Sequence, residues 1–514
     1  MRENYLKFTL AVLTGAALLL FSFLPAIEFL LNFSNDDSFF YIKTAFNFSA
    51  GEGSTFDLIN KTNGYHPLWF LILSFYFYVI NLFSDFSPEL YFRLVVLLIN
   101  IVNAAIIYFM YKFFKVCSIL NYKKQFALSV PLFLTFVAIR DYGMETHLAC
   151  LIIIIYMYLK SDEQINFKSN FSLKIFLLIL LFLTRIDFLF NVIPVIIIGD
   201  YLTAGADSER KKFLKYSVLL LSVTAVIYFS LNLFYFGNFL SIASKVKSSF
   251  PEVIFFKNFN DLFAPGTFTN QFIKSFYVFA VIMLFAIISF FNKEWIKFTE
   301  TDKFLFIICL SSLIFIIFNL CFNLYTLKEW YVAFPTFICS LLLTRIINQF
   351  PRIYYFSLIC FTMLLLYYFV LTRLNNPKWD SMYKYALELK NHTDPKDRIL
   401  MIDLSGIVGF FSERKIVNGD GLINSFEYWN YKSSGKLKEF IDYKKINMYS
   451  TYSTSKGNHE MRDSSGFLID MCYANKFGGY SFTFPKENLL MTAPYYYYHA
   501  VNSDKGNWYL FKLK

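Results

Sequence analysis

The chain reads as an all-α polytopic membrane domain followed by a smaller water-exposed domain of α/β or α+β type. Three observations predict this. Of its 514 residues, 56% are hydrophobic and only 17% charged, too few charges to cover a soluble protein of this size. Mostly apolar runs of roughly 18–25 residues, the length that crosses a bilayer, recur as far as residue 373. Beyond that point charged residues rise to roughly a quarter of positions, and short glycine-punctuated strands replace the apolar runs.

Taken in order, the candidate spans lie near 7–31, 66–83, 91–111, 125–140, 146–159, 173–199, 213–235, 272–291, 303–322, 330–346 and 353–373. They predict about eleven crossings. Arg2 and Lys7 precede the first run, which exceeds the roughly 7–15 residues of a signal h-region and is followed by no A-x-A-like site. It is expected to be a permanent helix with a cytoplasmic start. The net charge of +11 sits in clusters beside the spans, which marks membrane topology rather than nucleic-acid binding. Glu209-Arg210-Lys211-Lys212 with Lys215, Lys293 with Lys297, and Arg345 with Arg352 fit cytoplasmic loops. The loops 32–65 and 236–271 and the tail then fall on the non-cytoplasmic side. Lys112, Lys115, Lys123 and Lys124 fall on the wrong side if every candidate crosses, so one of the short helices in 125–159 is expected to be re-entrant.

Asn375-Asn376-Pro377 ends the last span, because the residue before a proline leaves the helix. This divides the chain into a membrane domain, 1–373, and a soluble domain, 374–514. In the tail, Ser381 to Lys390 predicts a helix, Arg398 to Ile402 a buried strand and Lys415 to Val417 a second strand. The polar stretch from Ser450 to Gly466 reads as a mobile loop. The seven cysteines show no C-x-x-C spacing and read as apolar packing residues.

The chemistry-bearing residues cluster in the first outer loop, 32–65. In N-D-D-S-F-F-Y, Asp36 and Asp37 open an expected amphipathic surface helix, 38–50. A carboxylate partly desolvated at the membrane surface is a better proton acceptor toward a hydroxyl. The competing reading is an acidic N-cap, which accounts for one acid more readily than for two. The loop closes with Asn63 and Tyr65-His66-Pro67-Leu68-Trp69; Tyr41, Asn63 and Tyr65 are candidate cavity residues. His66 can hold a phosphate or be incidental to an interfacial aromatic belt. Arg140 to Glu145 and Thr184-Arg185-Ile186-Asp187 interrupt apolar sequence, so Glu145, Arg185 and Asp187 face a wet cavity or form a structural ion pair. Ser244-Lys245-Val246-Lys247 and Lys328-Glu329-Trp330-Tyr331 offer cations and aromatic faces to a phosphate and a sugar, or anchor the membrane surface.

Together D-D-S-F-F-Y, T-N-G-Y-H-P-L-W, G-M-E-T and L-T-R-I-D resemble the GT-C superfamily of integral-membrane glycosyltransferases. The resemblance spans most of the chain, and the first-loop motifs are its specific part. It implies an inverting enzyme that takes a monosaccharide from a polyprenyl-phosphate donor to a hydroxyl of a glycan, lipid or protein acceptor. Asp36 would be the base, and Asp37 would orient the acceptor or share that role. His66, with Arg185, Lys245 or Lys328, would hold the donor phosphate, and Glu145, Asp187, Trp330 and Tyr331 would line the cavity. Such members need no metal or other cofactor, and two acids are few for a hard cation. They sit in the cytoplasmic membrane with the tail outside. Two departures are that the second acid is Asp rather than Glu and that His66 stands where a Lys is usual. The rival from another class is a transporter or flippase of a lipid-linked sugar, which should show half-repeats and interrupted helices; neither is legible.

Overall fold

The computed structural model describes residues 2–118, 121–138, 141–166, 170–203, 207–261, 273–291, 299–325, 327–373, 377–454, 461–462, 468–472, 480–499 and 502–513. The apolar first part is helical. It comprises α1 (Arg2–Phe23), α2 (Ile27–Leu31), α3 (Asp36–Ser49), α4 (Pro67–Asn81), α5 (Pro88–Cys117), α6 (Tyr122–Phe133), α7 (Thr146–Asn166) and α8 (Phe171–Thr184). There follow α9 (Phe188–Asn191), α10 (Ile193–Thr203), α11 (Asp207–Phe236), α12 (Ile242–Lys247), α13 (Phe255–Asp261), α14 (Ile273–Phe291), α15 (Glu300–Phe322), α16 (Glu329–Ile347) and α17 (Pro351–Arg373).

Among the described residues four helices are long and apolar enough to cross a membrane: Pro88–Cys117, Glu209–Phe236, Glu300–Phe322 and Trp330–Ile347. Shorter apolar helices accompany them, including Leu13–Phe23, Phe171–Thr184 and Pro351–Tyr367. Their outer faces carry exposed Val226, Ile227 and Phe234 on α11 and Phe356, Ile359 and Met363 on α17. An apolar surface of that extent belongs in lipid. The protein is a membrane protein.

Two expectations need correction and one is refined. The apolar run at 66–83 forms a helix of only 15 residues, shorter than the four long apolar helices. Its helix α4 lies along α3: Asn81 Nδ2 reaches Ser49 Oγ at 3.5 Å, and the backbone N–H of His66 reaches the Tyr41 hydroxyl at 3.3 Å. Arg93, in the first turns of α5, donates to the carbonyls of Ser22, Phe23 and Pro25, so α5 begins at the level where α1 ends. The run at 173–199 is not one span but a hairpin. Lys174 near the start of α8 bonds Asp200 near the end of α10 at 3.0 Å, and the chain reverses at residues 185–192. The reversal falls where Arg185 and Asp187 need polar surroundings, with Pro194 in the first turn of the returning arm. Finally, α3 is not a surface helix. It is buried nearly all round, between α4 and the tail.

Away from α3, buried charges clasp helix ends. Asp200 accepts from Lys160 (2.8 Å), Lys174 and the Tyr156 hydroxyl (2.6 Å). Arg345 grips both oxygens of Asp302 at 2.6 and 3.0 Å and reaches Gln125 at 3.3 Å. Each charge is paired, which is what allows it to be buried.

The tail begins with α18 (Pro377–His392), then β1 (Arg398–Met401), α19 (Ser405–Phe411), β2 (Lys415–Asn418), α20 (Phe426–Ser433), α21 (Leu437–Tyr443) and β3 (Met448–Thr454). It ends with β4 (Met461–Arg462), β5 (Leu468–Cys472), β6 (Tyr480–Phe484), β7 (Leu489–His499) and β8 (Asn502–Lys512). The main sheet has the order β2-β1-β3-β8-β7. Strand β1 runs parallel to β2 and β3, pairing Ile399 with Ile416 and with Met448, while β8 is antiparallel to β3 and β7. Strands β4, β5 and β6 form a second sheet. Ile399, Leu400 and Met401 are fully buried, as a parallel strand covered on both faces requires. The polar stretch expected as a loop instead opens with strand: Ser450 to Thr454 pair with Leu510 to Gly506. Ser450 is buried and Thr451 and Tyr452 are half-buried, positions that strand residues of these types suit despite their polarity. Residues 455–460 and 463–466 of that stretch lie outside the described residues.

Candidate functional site

The site begins at the start of α3. Asn35 is the N-cap there, and its side chain forms a reciprocal capping box with Ser38. Asp36 and Asp37 are therefore the first two helical residues, and the capping role proposed for them belongs to Asn35. Neighbouring helical residues point about 100° apart, so the two acids face different surroundings.

Asp36 faces the tail. Its carboxylate accepts the backbone N–H groups of Gly406 at 3.0 Å and Ile407 at 2.8 Å, in the first turn of α19. Farther along α3, Lys43 donates to the carbonyl of Gly409 at 2.6 Å, in the last turn of α19, and to that of Arg414 at 2.9 Å, just past its end. An anion at the N-terminus and a cation at the C-terminus both complement that helix's dipole. Burial pushes the Asp36 carboxyl up to about 7, against the pull of its two backbone donors. Burial draws the Lys43 ammonium down to about 7.

Asp37 lines a cavity of about 270 Å³. Lys247 Nζ lies 3.9 Å from its Oδ2. Burial raises its carboxyl above the usual range, opposed first by Lys247 and then by Lys328.

His66 is the N-cap of α4, with Pro67 in the first turn, and its ring lines the cavity. Nδ1 accepts the backbone N–H of Ile186 at 3.4 Å, so the proton belongs on Nε2, which lies 3.7 Å from Glu145 Oε1. Both ring nitrogens face protein groups, so His66 positions the wall and is not a free cation for a phosphate. Tyr41 and Tyr65 also line the cavity; Tyr65 stacks on Phe70 at 3.9 Å and its hydroxyl meets Ser54 Oγ at 2.6 Å.

Glu145 is presented by a turn between the end of α6 and α7. Asp141 accepts from the Asn35 side chain, the Tyr142 N–H bonds Phe33 O at 2.9 Å, and Gly143 O accepts from Trp69 Nε1 at 2.6 Å. Gly143 is required twice over: its φ is +95°, and an added Cβ would stand 2.8 Å from Ser38 Cβ. Opposite this turn, the hairpin apex presents Arg185. It binds Asp187 through two nitrogens at 3.2 and 2.9 Å and Glu145 Oε1 at 3.0 Å. Its guanidinium also lies 5.2 to 5.4 Å from the ring centres of Tyr331, Phe315 and Phe188. Such a cage holds one rotamer.

Helix α12 supplies Ala243, Ser244 and Lys247 to the cavity while Ile242 and Val246 are buried. Lys245 falls on the opposite side of this short helix and is exposed, so the cation at the cavity is Lys247. Asn63 is also displaced from its expected place. It is buried outside the cavity, with its amide donating to Asn232 at 3.1 Å and its carbonyl accepting the Ile242 N–H at 2.9 Å. It ties the first loop to α11 and α12. Trp330 and Tyr331 line the cavity, whereas Lys328 is the N-cap of α16 and acts on Asp37 only through its charge.

The tail closes one side of the cavity through Leu422. Its backbone meets the first loop so closely that a Cβ on Gly64 would stand 2.1 Å from Leu422 O. Asp403 and Asp420 of the tail carry charge toward Asp37, and burial pushes the Asp420 carboxyl up to about 7. Sequence reasoning named Lys247 beside Lys245 but chose Lys245, and it missed both tail acids. The only signal for Asp420 was its place between Gly419 and Gly421, where glycines mark close approach. Among the described residues no three His, Cys, Asp or Glu side chains are grouped to hold a metal ion.

No protein-family model matches the chain, and no curated protein matches its sequence. The cavity joins a carboxylate of raised proton affinity, a lysine, a caged arginine and aromatic faces. That set can deprotonate a hydroxyl, stabilise a departing anion and pack against a sugar ring.

Proposed function

We propose that the protein is a GT-C-type glycosyltransferase that moves a monosaccharide, with inversion, from a polyprenyl-phosphate carrier to an acceptor hydroxyl. The observation that carries this reading is Asp37, a carboxylate raised by burial that faces an aromatic-walled cavity beside Lys247. Asp37 takes the proton of the acceptor hydroxyl as its oxygen bonds the anomeric carbon. The bond from that carbon to the phosphate oxygen breaks on the opposite face, and polyprenyl phosphate leaves with the electron pair. Lys247 is the cation with freedom to follow the charge that develops on the phosphate. Asp36, the first choice from sequence, serves instead to dock the tail.

The site is assigned to the outer face of the cytoplasmic membrane. With α4 lying along α3 and 173–199 forming a hairpin, one crossing is lost and one gained, so the count stays at about eleven. Lys112, Lys115, Lys123 and Lys124 then join Lys211, Lys212 and Lys215 on the cytoplasmic side, which supports this orientation without a re-entrant helix. The acceptor approaches from the tail side of Asp37.

The test is the purified protein in lipid, given a panel of polyprenyl-phosphate sugars and an acceptor extract, with free polyprenyl phosphate followed by mass spectrometry. Release should fall by about 10²–10⁴-fold in Asp37→Asn, the range for loss of a general base. Movement of an intact lipid-linked sugar between leaflets, with none released, would identify a flippase instead.

A further inference from the structure

The chain that follows Lys247 caps a membrane helix. A helix leaves its last four carbonyls without partners, and at the end of α15 three of them are taken by this segment. The backbone N–H of Ser249 donates to Phe322 O at 2.9 Å, and that of Ile254 to Cys321 O at 2.8 Å. The Asn258 amide donates to Leu320 O at 2.9 Å and also to Asn323 O at 2.7 Å. In return the Leu324 N–H donates to Lys247 O at 2.7 Å. The segment is thus fixed at the level where α15 ends.

That level is a bilayer surface. Glu300, Asp302 and Lys303 crowd the first turn of α15, and about 20 apolar residues later, about 30 Å along the helix, Asn323 closes it. Yet the capping segment exposes large apolar side chains there. Phe250 is 71% exposed, Val253 62% and Phe256 80%, while Ile254 and Asn258 between them are buried. Phe239 and Leu240, just past the end of α11, are exposed as well. Such side chains scattered singly need no account, but a contiguous group does.

The group continues the lipid-facing side of α15. Ile314, Ile317 and Phe318 are exposed along that helix, the Phe318 ring centre lies 5.2 Å from that of Phe322, and Phe322 lies 5.5 Å from Phe250. Lys245 and Lys257 are exposed on either side of the group, with Glu252 exposed between them. We infer that the chain from Lys245 to Phe259 is an interfacial anchor whose partner is the phospholipid bilayer. Phe250, Val253 and Phe256 enter the acyl region, and the two lysines reach up to the lipid phosphates. Continuity with the lipid-facing stripe of α15 favours the bilayer over a second copy of the chain as the occupant. Because Lys247 lies within this segment, the cation of the cavity is held at the membrane surface.

The test is independent of the glycosyl-transfer reading. The full chain carries either Phe256→Trp or Met363→Trp, the latter on the exposed side of α17. Each variant is reconstituted in nanodiscs of phospholipid with plain or brominated acyl chains. The emission that each new tryptophan adds to wild type should be quenched by the brominated lipid to an extent within about twofold of the other, as for two side chains in the acyl region. Quenching at 363 with none at 256 overturns the anchor. An unquenched residue 256 in a chain that runs as a dimer, split by Phe250→Ser, overturns it too and makes a second copy the occupant. Val253→Trp repeats the measurement if Phe256→Trp does not fold.

Discussion

Replacing Gly406 by alanine tests the junction between the tail and the first loop without touching the cavity. The added Cβ would stand 2.1 Å from the carbonyl oxygen of Asp36 and 3.0 Å from its Cγ. Contact distances require roughly 1 Å of separation, and close-packed interiors do not absorb that. Helix α19 spans only Ser405–Phe411 and every residue in it is buried, so it has no free side to move toward. Shifting it breaks the two bonds to Asp36, and overpacking alone costs about 1–3 kcal/mol. Each bond to the carboxylate is worth about 1.5–3 kcal/mol, offset in part by rehydration of Asp36, whose raised affinity for a proton records the strain of its burial. A net loss of about 3 kcal/mol multiplies the undocked population roughly 100-fold. Limited trypsin digestion of the purified protein in detergent should cut the tail of Gly406→Ala correspondingly faster. Transfer should fall as well, because the tail supplies a wall of the cavity. Gly15→Ala, where nothing lies within 4 Å of the new atom, is the control and should behave as wild type. Equal digestion rates for wild type and Gly406→Ala would refute the docking of α19 on Asp36.

Three further outcomes are expected. Burial lifts the Asp36 and Asp420 carboxyls to about 7 from an ordinary 3.8, so the fold holds protons there that the unfolded chain has released. That stabilisation is complete below the unfolded value and is lost as pH rises through 7, so Tm should fall between pH 5 and pH 7 and fall less in Asp420→Asn. Lys43, drawn down to about 7, has its window above that range; a Tm that rose with pH from 5 to 7 would reverse the sign. Arg185→Met leaves the buried Glu145 and the half-buried Asp187 without their cation and should destabilise by about 3–5 kcal/mol, read as a lost thermal transition or failure to accumulate; a wild-type melting curve would contradict the cage. Lys247→Ala should lower kcat/KM about 10- to 100-fold while Lys245→Ala stays within about threefold, a contrast drawn from the two cations' positions; equal effects would place α12 in the wrong rotation.

Much of this molecule was legible in the linear chain because its signals are local. Apolar length marked the helices, and strands β1 and β2 read directly from Arg398 to Ile402 and Lys415 to Val417. Charges stranded in apolar sequence need a wet or paired environment wherever they fold, and Glu145, Arg185 and Asp187 do meet in one cavity. What only the tertiary structure decided is direction. Asp36 and Asp37 are neighbours of one chemistry, and so are Lys245 and Lys247. In each pair the residue that reaches the cavity depends on how a helix is rotated against partners far away in sequence. The N–H groups that turn Asp36 aside belong to residues 370 and 371 positions later. A helix's periodicity records that it has a buried face, but its rotation is set by the surfaces that bury it. The same reason hid the hairpin at 185–192 and the course of α4 along α3, since an apolar run does not state whether lipid, a neighbouring helix or the tail will cover it.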